Sequence, residues 1–208
     1  MNKMPFDCET GGIDPATSSL LTLYMAVLDS NDQIIDELDL KLKPDDGKYL
    51  WTQEAMDVNG INLEEHDKEA ITYSQGKVLL MAFLKKNSPK KRSLRPCGHN
   101  IAFDIGFIQT HLLSKKEWED YCHYRVLDTT PIATFMQDIG VWPSKLGSLV
   151  SLVEYLGVKK RLAHNAKEDT LMWIDVYVAL QRNFKNIIQN GINGDIGSQD
   201  SDLKILEL

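Results

Sequence analysis

Leu94-Arg95-Pro96-Cys97-Gly98-His99-Asn100-Ile101-Ala102-Phe103-Asp104-Ile105-Gly106-Phe107 changes character halfway along its length. Leu94 to Gly98 reads as a brief strand and Ile101 to Leu113 as a helix, which puts Asp104 in the first helical turn. Strands that alternate with helices point to an α/β chain. The pattern recurs on the C-terminal side. Tyr124 to Leu127 is another brief strand, and Asp128 or Thr129 caps a helix that ends near Gly140. Lys145–Leu156 and Ala166–Gln189 read as two more helices.

On the N-terminal side, Ser74 can cap a helix through Val78, Leu79, Met81, Ala82 and Leu84 that stops before Ser88-Pro89. Thr52 can cap a short helix carrying Glu54, Ala55 and Met56, with Asn59-Gly60 as its stop. Further back, Leu38, Leu40 and Leu42 alternate with Asp39, Lys41 and Lys43, the period of a half-exposed strand. Leu20–Leu28 is mostly apolar, as a strand buried on both faces would be. The turn cluster Asp29-Ser30-Asn31-Asp32 joins these two as an antiparallel hairpin. Lys3–Cys8 is a first short strand, closed by Gly11-Gly12. Together these signals predict an α/β fold, a mixed five-stranded sheet with helices on both faces.

The 208 residues, 43% hydrophobic and 25% charged, are enough for one compact domain and exclude wholesale disorder. That domain is expected over residues 1–189. Residues 190–208 read as a flexible tail, with three glycines and three aspartates in GINGDIGSQDSD and an apolar tip at Leu203, Ile205, Leu206 and Leu208. A net charge of −7 argues against gripping nucleic acid by bulk positive charge and leaves local basic patches or bound cations open. The longest apolar run, Val78 to Leu84, falls far short of the ~20 residues of a membrane span. Three scattered cysteines form no CxxC pair, so the expectation is a cytoplasmic protein with neither a disulfide framework nor a structural zinc site.

Three constellations carry possible chemistry. In Phe6-Asp7-Cys8-Glu9-Thr10-Gly11-Gly12, residues two apart on a strand share a face, so Asp7 and Glu9 lie together while Phe6 and Cys8 face the other way. Two carboxylates that close repel, and a divalent cation would relieve them. Asp104 is an acid among Ala102, Phe103, Ile105 and Phe107, and an acid in apolar surroundings needs a partner. In His164-Asn165-Ala166-Lys167-Glu168-Asp169, Asn165 can cap the last helix, with Asp169 near its first turn and His164 just ahead. Each alone has a plain reading: a surface acid pair, an acid favoured at a helix start, a surface histidine.

Taken in order, DxE, HNxAFD and HxAxxD resemble the three exonuclease motifs of the DnaQ-like superfamily, the DEDD-type 3′→5′ exonucleases with an RNase H-like fold. The histidine stands five residues before Asp169 and the position four before it is Asn165, not tyrosine, so the resemblance is to the DEDDh branch. HNIAFDIGFI is especially similar to the proofreading epsilon subunit of bacterial replicative polymerases. Val58-Asn59-Gly60-Ile61 and Val126-Leu127-Asp128-Thr129 also resemble family segments, and the likeness runs over roughly residues 3 to 187. The short lead before Asp7 and the presence of Trp51 depart from the pattern.

The resemblance implies that Asp7, Glu9, Asp104 and Asp169 gather two Mg²⁺ or Mn²⁺ ions, with Asp7 bridging, Glu9 and Asp169 on the first and Asp104 supporting the second. His164 would be the general base. Substrate would meet Thr10, Gly11, Val58, Asn59, Asn100 and Phe103, with little sequence preference if bases are held by stacking. The expected activity is release of nucleoside 5′-monophosphates from single-stranded 3′ ends. DNA is favoured over RNA, with an RNase T- or oligoribonuclease-like exoribonuclease and a catalytically silent binding module as alternatives. As an accessory subunit, the chain would use its tail to hold a polymerase or other replication protein. Two basic clusters, Lys85, Lys86, Lys90, Lys91, Arg92 and Arg95, and Lys159, Lys160 and Arg161, are candidates to meet phosphates, the second the more so.

Overall fold

The computed structural model describes residues 1–161 and 164–193. Strands β1 (Asn2–Thr10), β2 (Leu20–Leu28) and β3 (Ile34–Lys43) form an antiparallel meander, with Phe6 opposite Met25 and Met25 opposite Leu38. Strand β4 (Ile71–Thr72) adds parallel to β3, and β5 (Leu94–Gly98) and β6 (Leu127–Asp128) follow on the other side, parallel to β1. The sheet order is β4-β3-β2-β1-β5-β6. This leaves β1 central, and its ladder with β5 ends at Pro5–Cys97. From there to Thr10 the β5-facing edge of β1 has no strand beside it.

Eight helices are described: α1 (Gln53–Asn59), α2 (Leu63–Glu69), α3 (Tyr73–Asn87), α4 (Ile101–His111), α5 (Lys115–Tyr121), α6 (Thr129–Asp138), α7 (Leu149–Tyr155) and α8 (Ala166–Asn193). On one face Met4, Phe6 and Cys8 of β1 pack with Leu80 and Leu84 of α3 and with Phe107 and Ile108 of α4. On the other, Tyr24, Ala26 and Leu28 of β2 meet Ala166, Trp173 and Ile174 of α8. Each large apolar side chain buried this way contributes about 1.5–3 kcal/mol. Trp118, Trp142 and Trp173 are all core residues. No helix among the described residues is long and apolar enough to cross a membrane.

The five expected strands are present, and β4 is a sixth, only two residues long. The last of the five is shorter and later than its apolar letters suggest: Tyr124, Arg125 and Val126 are exposed, and pairing with β5 covers only Leu127 and Asp128. Helix α3 starts two residues earlier than Ser74 indicates. Thr72 is its cap, in a reciprocal box with Gln75, while the Ser74 hydroxyl donates to Asp45. Lys145 to Gly147 stay outside α7 because Ser148 caps it, closing a box with Ser151. Helices α2 and α5, seven residues each, carry too few apolar residues to show a period in the sequence. Helix α8 continues through Asn193, four residues past Gln189, and the expected tail with its apolar tip otherwise lies outside the described residues.

Candidate active site

Strand periodicity puts Phe6 and Cys8 into the core under α3 and α4, so Asp7 and Glu9 must emerge on the α8 side. There they meet Asp169 from the first turn of α8. One carboxylate oxygen from each of Asp7, Glu9 and Asp169 lies within 4.8 Å of the others. Asn165 starts α8 by accepting the Glu168 N–H at 3.2 Å on its side chain and the Asp169 N–H at 2.8 Å on its carbonyl. His164 has φ +61° and donates its backbone N–H to Asp169 Oδ2 at 3.0 Å, which leaves its imidazole exposed beside the cluster.

Asp104 arrives from the opposite helix layer. It is 3% exposed, and its Oδ1 accepts the Cys8 N–H at 2.9 Å, filling the edge of β1 that β5 no longer covers. It does not join the set within 4.8 Å, yet its charge reaches both Asp7 and Glu9. The structure therefore brings three of the four expected acids to one point and holds the fourth against the backbone between them.

The electrostatics of this arrangement are unfavourable by themselves. Burial pushes the Asp7 carboxyl well above the usual carboxylate range, and Asp104, Glu9 and Asp169 push it further. Glu9, 8% exposed, is raised to about 8, by burial first and then by Asp169 and Asp104. Asp169 is raised by burial, with the His164 N–H opposing. Burial likewise raises Asp104, and the Cys8 N–H pulls it back. Glu9 Oε1 is buried without a hydrogen-bond partner. An orphaned carboxylate oxygen facing two further acids fits a hard divalent cation, whose charge inverts each of these shifts.

Beside Glu9 opens a cavity of about 480 Å³ lined by Thr10, Gly12, Ile13, Thr52, Glu54, Val58, Asn59 and Phe103. Of the expected substrate residues, Thr10, Val58, Asn59 and Phe103 are in its wall. Two of these are already engaged: the Thr10 hydroxyl donates to the Gly12 carbonyl, and the Asn59 amide donates to the Thr10 carbonyl. Gly11 is not in the wall. It packs flush against Leu50–Thr52, where a Cβ would stand 2.3 Å from the Leu50 carbonyl oxygen, and its own carbonyl accepts the Thr52 N–H at 2.7 Å. Asn100 is at the N-cap of α4, outside the cavity. Gly12, Ile13, Thr52 and Glu54 are wall residues that sequence reasoning passed over. Thr52 and Glu54 were legible only as helix-start residues.

The first basic cluster is away from the carboxylates: its Arg95 pairs with Lys3, at the opposite end of β1 from Glu9, and Lys86, Lys91 and Arg92 are paired with Asp36, Asp120 and Glu119. Lys160 pairs with Glu154, and Arg161 with Glu168 and Asp175.

Comparison with known proteins gives the chain's family and its fold relatives. An oligoribonuclease of Chromobacterium violaceum is 26% identical over 179 residues, covering 84% of this chain and 90% of that protein. One from Rhodococcus jostii is 25% identical over 130 residues, 61% of this chain and 64% of that protein. Among solved structures, E. coli exonuclease I bound to single-stranded DNA superimposes with a TM-score of 0.73 at 17% identity, over 92% of this chain and 43% of that one, which shows a shared fold. The family model RNase_T, described as Exonuclease, matches residues 5–177. With the acidic triad on β1 and α8 and the DnaQ-like fold in place, that match over most of its length makes this chain a member of the RNase_T exonuclease family.

Proposed function

We propose that this chain is a divalent-metal-dependent 3′→5′ exonuclease that removes nucleoside 5′-monophosphates from short single-stranded RNA. The observation that carries the reading is the convergence of Asp7, Glu9 and Asp169 within 4.8 Å, with one Glu9 oxygen buried and unpaired. Asp7, Glu9 and Asp169 would hold the metal, and Asp104 would complete the second position. Divalent ions held by these residues would supply a water nucleophile and charge compensation for the leaving 3′ oxygen.

The remaining work falls to the chain itself. His164 is held by its backbone N–H on Asp169 Oδ2, and its exposed imidazole would accept the proton of the attacking water. The cavity at Glu9 lies within the ~300–1,000 Å³ of ligand pockets. Phe103 and Val58 offer apolar surface to a terminal base, and Thr52 and Glu54 offer polar groups to its sugar. A wall that meets bases through apolar faces tolerates any sequence.

RNA takes precedence over the DNA expected from the sequence because both curated relatives described above are named oligoribonucleases. The likeness to exonuclease I on single-stranded DNA favours DNA as the second reading, on shape alone. A silent binding module is the weaker alternative, since Asp7, Glu9, Asp104, His164 and Asp169 are all present. Matched RNA and DNA strands, short and long, labelled at either end and digested with Mg²⁺ or with EDTA, test the proposal. Stepwise loss from the 3′ end, faster on short RNA and abolished by EDTA, is the expected result. Faster digestion of DNA would reverse the substrate order, and no metal-dependent product from any strand would remove the activity.

A further inference from the structure

Asn100, the N-cap of α4, sits at φ +61° and makes no side-chain cap to its own helix. The missing acceptor comes from another element. Asp128, at the end of β6, accepts the Asn100 N–H on Oδ1 at 2.9 Å and the Ile101 N–H on Oδ2 at 3.1 Å. The same Oδ1 accepts the Thr130 N–H at 2.8 Å, so one carboxylate caps both α4 and α6. Next to it, Thr129 Oγ1 lies 3.4 Å from the Gly98 carbonyl and 2.9 Å from His99 Nδ1, while His99 Nε2 reaches the Gly147 carbonyl at 3.1 Å. The turn from β5 into α4 is thus clamped from β6 and the start of α6.

Asp104 is one turn inside the helix that this clamp starts. Its carboxylate reaches β1 only if α4 leaves β5 at the observed angle and height, because it meets the strand at Cys8, whose N–H it accepts at 2.9 Å and whose thiol lies beside it. Asn100 is in the left-handed region, which asparagine adopts more readily than most residues, and its N–H there meets the Asp128 carboxylate. We infer that Asp128 is a positioning residue for Asp104, acting through the backbone of Asn100 and Ile101. The inference rests on the proposed exonuclease reading only for its catalytic consequence; the structural coupling stands apart from it.

Asp128→Asn separates the two. Its amide must turn an NH₂ toward one of three N–H donors, so at least one bond is lost without a change of size. Hydrogen exchange of the metal-free protein reads the coupling directly. The amides of Asn100 and Ile101 should exchange about 10-fold faster or more, as for loss of a charged acceptor, and the distant Cys8 amide should follow them. Asp104→Ala is the reference for a free Cys8 amide. Ser114→Ala, which removes the cap of α5 elsewhere, is the control for general loosening and should leave Cys8 protected. Isothermal titration of Mn²⁺ without substrate should show weaker binding in Asp128→Asn than in Ser114→Ala. If Ile101 exchanges faster while Cys8 stays as protected as in the parent, the inference is overturned whatever the protein hydrolyses. If Cys8 is freed but neither protein hydrolyses nucleic acid nor binds Mn²⁺, the coupling holds and the exonuclease reading is what fails.

Discussion

Glu9→Gln should change how the stability of the metal-free protein depends on pH. Burial, then the charges of Asp169 and Asp104, hold the Glu9 carboxyl at about 8 against its ordinary 4.5. The folded state therefore binds this proton more tightly than the unfolded chain. The stabilisation is fully present below 4.5 and is lost as pH rises toward 8. At 1.36 kcal/mol per unit, the loss between pH 5 and pH 8 comes to about 3 kcal/mol for this one group. In a domain of this size that is a fall in Tm of roughly 6–12 °C. Glutamine keeps the shape and carries no titration, so its own burial penalty shifts all pH values equally and cancels from the slope.

The assay is thermal unfolding of parent and variant in EDTA at pH 5, 6, 7 and 8, repeated in saturating Mn²⁺. In EDTA the parent should lose stability steeply over this range, and Glu9→Gln distinctly less. In Mn²⁺ the parent's trend should flatten or reverse, because ligation needs the ionised carboxylates and binding to the folded state alone adds about 2.7 kcal/mol at a hundred times Kd. Equal slopes for the two proteins in EDTA would refute the crowding argument, whatever the activity of either.

Asp7→Ala should abolish metal-dependent hydrolysis yet raise Tm in EDTA, since it removes the carboxyl whose ionisation burial and the other three acids oppose; a lower Tm would count against like-charge crowding. His164→Ala should lower kcat by roughly 10²–10⁴-fold, the scale of a lost general base, with Mn²⁺ affinity little changed; an unchanged rate at pH 7 would end its proposed role. Gly11→Ala places a methyl group 2.3 Å from the Leu50 carbonyl oxygen, so the Leu50–Thr52 segment must move, at a cost of about 1–3 kcal/mol. Urea unfolding should register that loss, and KM for an oligonucleotide should rise as Thr52 leaves the cavity wall.

The large strands and the acid positions were legible because period and spacing are local. Phe6 and Cys8 on one face force Asp7 and Glu9 to the other, and Leu20–Leu28 is apolar enough to declare burial on both sides. The five-residue interval from His164 to Asp169 likewise survives as one hydrogen bond, from the His164 N–H to Asp169 Oδ2. What stayed hidden was set by distant partners. The Cys8 N–H is a donor in any strand, and only the early end of β5 frees it for Asp104, 96 residues away. Asn100 and Gly11, named as substrate contacts on the family resemblance, also have structural places that no local pattern announces, one as a helix cap and the other as a packing contact. In the lysine-rich stretch from Lys85, the acidic partners of Lys86, Lys91 and Arg92, which are Asp36, Asp120 and Glu119, could not be read locally because they come from elsewhere in the sequence.

These long-range bonds explain how a central strand tolerates a buried and a half-buried acid side by side. Residues Asp7 and Glu9 are on the strand with pairing on both sides for its first half, where Met4 and Phe6 are nearly fully buried. The backbone there is held by its ladder and by the core beneath it, independently of the acids. Among the described residues the acids that oppose them come from α8, through Asp169, and from the N-terminal part of α4, through Asp104. Asn165 and the His164 N–H restrain the first, and Asp128 restrains the second. A protein organised in this way keeps its carboxylates converging before any cation arrives, and the electrostatic strain it retains becomes part of the driving force for binding one.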